Sequence, residues 1–88
     1  MKTDIIITAP GAEQKYTGII KRVSRFIQEG LACFGNGSLA IEKNMAITAA
    51  FHKLGFKNTE VLFFYNFAGR DLFKVSIPST GAYFEIII

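Results

Sequence analysis

Seven carboxylates are spread along the chain, at Asp4, Glu13, Glu29, Glu42, Glu60, Asp71 and Glu85, and no two of them stand at helical or strand spacing. General acid–base chemistry needs two positioned groups whose pKa values are driven apart, and this pattern offers no such pair. No serine or cysteine has a base beside it in sequence to activate it. Cys33 and His52 are each the only residue of their kind, so neither a disulfide within the chain nor a zinc site is expected. The residues therefore predict no catalytic centre, no metal and no cofactor.

The groups that remain suit an anion. Lys15, Lys21, Arg22 and Arg25 fall within eleven residues, Lys43 follows, and Arg70 and Lys74 stand close together further on. Each phosphate such cations neutralise releases counterions, which makes binding salt-dependent. Between them lies Gly35-Asn36-Gly37-Ser38. Glycines ahead of a helix let backbone N–H groups of Asn36, Gly37 and Ser38 point at an anion, where the helix N-terminus adds partial positive charge. Each group also has a plain structural reading. The loop is a tight turn, the lysines and arginines a solvated helix face, and Arg70 and Lys74 the charged guard of a sheet edge.

Secondary structure must position these groups. Residues 4–9, with three consecutive isoleucines, read as a strand buried on both faces, ended by Pro10-Gly11. Ile19, Ile20, Val23, Phe26 and Ile27 make one stripe at helical period, so residues 16–29 read as a helix with Gly30 as its cap. Residues 31–34 read as a short apolar strand that buries Cys33. Ser38 then reads as the N-cap of a second helix that runs to Leu54 and closes at Gly55. Residues 61–67 read as a third strand, 70–76 as its continuation into a hairpin, and 82–88 as a central last strand after the Pro78-Ser79-Thr80-Gly81 turn.

The second helix has two apolar stripes. Ala40, Ile47, Phe51 and Leu54 form one, and Ile41, Met45 and Ala49 the other. One sheet face can cover only one of them. A chain of 88 residues, half of them hydrophobic and 14% aromatic, carries more apolar surface than a domain of that size buries alone. Ile41, Met45 and Ala49 are therefore expected at the interface of a homodimer. The aromatics are mostly core and dimer contact by this reading, with Tyr65 and Tyr83 best placed to meet solvent. The formal net charge of +3 suits a phosphate-rich partner. No membrane-spanning run and no signal-like start are read, which points to the cytoplasm.

The order βαβαββ, the Phe34-Gly35-Asn36-Gly37-Ser38-Leu39 segment, the Ala- and Ile-rich helix that follows it to Ala50, and the hairpin over residues 61–88 resemble the Alba superfamily, in pattern closest to the bacterial stage V sporulation protein S group. The resemblance implies a dimer formed through the second helix and last strands. It also implies DNA or RNA bound by the loop after the first strand, the loop before the second helix and the hairpin arms. Lys15, Asn36, Gly37, Ser38, Lys43, Arg70 and Lys74 fall in those places. The sequence has Ala9-Pro10-Gly11, and Asn36 and Ser38, where archaeal members carry lysines and arginines. The expectation is thus a single α+β domain over residues 1–88, in two layers, with a mixed four-stranded sheet and both helices on one face. Its expected role is nucleic-acid binding as a dimer, and the alternative is a regulatory or inhibitory protein-interaction module on the same fold.

Overall fold

The computed structural model describes residues 4–33 and 39–88. Its elements run β1 (Ile6–Thr8), α1 (Thr17–Cys33), α2 (Ala40–Lys53), β2 (Glu60–Phe67), β3 (Arg70–Ile77) and β4 (Ala82–Ile87). The strands form one sheet in the order β1-β4-β3-β2, and every neighbouring pair is antiparallel. The fold is α+β, as the patterning implies, but the sheet is not mixed and the order of described elements is βααβββ.

The difference begins at residue 31. Leu31 to Cys33 are the last turn of α1. Leu31 is buried one helical step beyond Val23 and Ile27, at the spacing i, i+4, i+8 that one helix face requires. Gly30 is accordingly not a cap. It stands inside the helix where α1 crosses α2, and a Cβ there would meet the Ala46 Cβ at 3.1 Å. The glycine lets the two helices approach, at the helix-propensity cost of about 1 kcal/mol that it normally carries. Gly30→Val is expected to push the helices apart and to cost about 1–3 kcal/mol, read as a fall in the urea midpoint at unchanged slope. Cys33, expected inside a strand, is exposed at the helix end.

Helix α2 ends as the sequence implies. Gly55 takes a positive φ of 94°, its N–H bonds to the His52 carbonyl, and the Phe56 N–H reaches the Phe51 carbonyl. That is a Schellman closure, which glycine reaches without a steric penalty. At the other end, the Glu42 carboxylate accepts from the Leu39 N–H at 3.1 Å. The N-cap is Leu39, in extended backbone with its carbonyl accepting from the Lys43 N–H at 3.0 Å, and not Ser38, which lies outside the described residues.

Strand β4 is central, with β1 on one side and β3 on the other. Alternation in the last two strands is regular. Asp71, Phe73, Val75 and Ile77 of β3, and Ala82, Phe84 and Ile86 of β4, are buried, while the residues between them are half-buried. The buried set packs into one core with Val23, Ile27, Leu31, Ala46, Ile47, Ala50 and Phe51 of the helices. Both helices therefore cover the same sheet face and leave the other open, giving two layers. Phe84 lies at the centre, with its ring 5.2 Å from that of Tyr16 and 5.3 Å from that of Phe51.

Two sequence expectations for the strands are corrected. The triple isoleucine does not make a doubly buried strand. β1 is a three-residue edge in which Ile7 faces the core and Ile6 is 46% exposed. Residues 60–77 are not one arm but a tight hairpin, with Ala68 (φ 53°) and Gly69 (φ 79°) as its two turn residues. Two successive positive φ values match the right-handed twist of the flanking strands, as in a type I′ turn.

Candidate interaction surfaces

The cations proposed for phosphate do not share one surface. Lys15 lies just before α1, and Lys21, Arg22 and Arg25 lie along it, all exposed on the helical layer. Lys15 stands over the Tyr16 ring at 5.4 Å and Arg25 over that of Phe26 at 5.2 Å. Arg70 and Lys74 lie on β3 and belong to the opposite, open sheet face by alternation. Arg70 donates to the Asp4 carbonyl at 2.6 Å, and the Lys74 ammonium sits 3.8 Å from the centre of the Phe64 ring. A duplex laid on α1 would not reach them. Asn36, Gly37 and Ser38 lie outside the described residues.

Lys43 is not a surface cation. It is 7% exposed and donates to Asp71 Oδ2 at 3.0 Å and to the Ile88 main-chain oxygen at 3.2 Å. Asp71, 5% exposed, also accepts from Asn66 Nδ2 at 2.7 Å. Its backbone exchanges two hydrogen bonds with Ile88, at 2.8 and 3.0 Å. Burial alone would raise the Asp71 pKa. The hydrogen bonds from Asn66 and Lys43, with the Lys43 charge, outweigh burial and hold its carboxyl below the ordinary value. This cluster ties α2 to β2, β3 and the end of β4. Sequence reasoning missed it, because its two charges stand 28 residues apart and neither belongs to a recognisable motif.

The prominent surface is strand β2. Apart from half-buried Val61, the strand is exposed along its length. Leu62 is 61% exposed, Phe63 47%, Phe64 55%, Tyr65 51% and Phe67 75%. A bulge between Phe63 and Tyr65 resets the alternation. Leu62, opposite Lys74, and Tyr65, opposite Leu72, therefore fall on the open face, and Phe63, opposite Phe73, on the helical face. On the open face a hollow of about 350 Å³ is lined by Ile6, Tyr65, Phe67, Arg70, Leu72 and Ile87. Beside the strand on the helical side, the flank of α2 expected to lie unsatisfied does so. Ile41 is 67% exposed and Met45 47%, with Ala49 half-buried. The signal that could have marked β2 is Phe63-Phe64-Tyr65, an aromatic run that no simple alternation can bury on one face.

Among the described residues no group of histidine, cysteine and carboxylate side chains could hold a metal, and no helix is long and apolar enough to cross a membrane. No family model, curated protein or solved structure matches the chain.

Proposed function

We propose that the protein is an interaction module that docks other polypeptide through β2 and the apolar ground on either side of it. The observation that carries this reading is the exposure of Leu62, Phe63, Phe64, Tyr65 and Phe67 on a strand at the edge of the sheet. Such an edge presents unpaired main-chain donors and acceptors, and adding a strand to it supplies affinity while alternate side chains supply specificity. The open face favours protein over nucleic acid. Its cations Arg70 and Lys74 are balanced by Glu60 and Glu85, and Ile6, Leu62, Leu72 and Ile87 fill the space between. A photo-crosslinking phenylalanine analogue at position 67 is expected to give polypeptide adducts in cells, and the same analogue at Arg25 is expected to give few. Equal yields at the two positions overturn the reading.

The second reading is nucleic-acid binding by the helical layer, favoured by one feature. Lys15, Lys21, Arg22 and Arg25 are all exposed there, and none is ion-paired among the described residues. DNA or RNA binding at low salt that weakens as salt rises, and that is lost in Arg22→Glu/Arg25→Glu, supports it. Absence of binding at low salt removes it.

A further inference from the structure

We infer that the occupant of the β2 edge is a second copy of this chain, paired antiparallel so that two four-stranded sheets join into one of eight. This rests on the reading of β2 as a docking edge and names its partner.

The two edges of the sheet differ. β1 is three residues long and is followed two residues later by Pro10, a common way of keeping an edge from pairing. β2 has eight residues and no lysine, arginine or proline. Glu60 stands at its start, a 3.3 Å hydrogen bond runs from the Asn44 amide to the Val61 carbonyl, and a bulge interrupts the strand between Phe63 and Tyr65, which leaves Tyr65 to Phe67 as its open stretch. Leu62, Phe63, Phe64, Tyr65 and Phe67 present at most on the order of 600 Å² per copy, which suits an interface at the small end of the specific range, about 600 Å² per partner.

The strand is also complementary to itself. A two-fold axis perpendicular to the sheet returns each face to itself. Leu62, Tyr65 and Phe67 then continue the open face across the seam, and Phe63 and Asn66 continue the helical face. The same axis carries Glu60, at the start of one β2, toward the Phe67 end of the other. Asn44 of α2 reaches β2, and Ile41 and Met45 lie together on the side of α2 turned away from the core.

Sedimentation velocity from micromolar to millimolar protein, with hydrogen exchange at both ends of that range, tests this. The wild type is expected to be a dimer whose β2 amides gain protection with concentration while those of β1 do not. Leu62→Glu/Phe64→Glu replaces two exposed residues and sets carboxylates beside Lys74, so it should keep the circular dichroism of the fold, yet weaken association by about 30-fold or more. A dimer in which β2 gains no protection overturns the proposal. So does a wild type that stays monomeric at millimolar concentration with β2 exchanging freely. In that last case adducts to other proteins at position 67 would still uphold the docking edge, and their absence would remove it as well.

Discussion

Lys43→Met is expected to cost about 3–5 kcal/mol, because it leaves the Asp71 carboxylate buried without its cation. In a domain of this size that corresponds to a fall of roughly 12 °C or more in the melting midpoint. The double variant Lys43→Met/Asp71→Leu is expected to recover most of the loss, since the desolvation of both charges is then avoided. Thermal unfolding followed by circular dichroism reads both effects, the chain having no tryptophan. A single variant within about 1 kcal/mol of wild type would show that water reaches the pair. The pH dependence follows from the same contacts. Asp71 is held below its ordinary pKa in the fold, so it contributes stability above the unfolded value near about 3.9, and that contribution is lost as pH falls through the lower folded value. The double variant should lack this part of the acid loss.

Phe84→Ala should be comparably severe for a different reason. The residue is 1% exposed and its ring lies against those of Tyr16, just ahead of α1, and Phe51 of α2, so truncation leaves a cavity between the sheet and the helical layer. A loss of about 3–5 kcal/mol is expected. Phe67→Ala, at 75% exposure, should change the stability of a dilute sample by no more than about 0.5 kcal/mol. Chemical denaturation of the two variants side by side separates core aromatics from docking aromatics. Equal losses would mean that Phe67 is covered in solution even at low concentration.

The helices were the legible part. Ile19 to Ile27 keep a helical period, and Gly55 closes α2 where a glycine is expected to. The short run 31–34 was not legible, because four apolar residues fit a strand or a helix end equally well. Val23-Ile27-Leu31 was the deciding pattern, and reading Gly30 as a stop concealed it. The hairpin turn was hidden by Ala68, since alanine rarely takes a positive φ and the pair Ala-Gly is no turn signature. The surplus flank of α2 was visible at Ile41 and Met45 because it follows from periodicity alone. The burial of Lys43 was not, because what neutralises a cation in the interior is set by tertiary pairing and leaves no trace among its sequence neighbours. Strand β2 was read for its composition as core and dimer contact. Only the sheet order, which puts it at an edge, shows that no described strand lies beyond it.

The place of β1 has a consequence for how the molecule is made. Among the described strands its one neighbour is β4, with Ile6 opposite Ile87, so β1 cannot join the sheet until about 80 more residues have been added. At translation speeds of about 5–20 residues per second, that leaves the isoleucines of the first segment waiting for several seconds beside a growing chain. The α1–α2 pair and the β2–β3 and β3–β4 hairpins form from nearby contacts, and the pairing of β4 with β1 is the slow, long-range step that completes the fold.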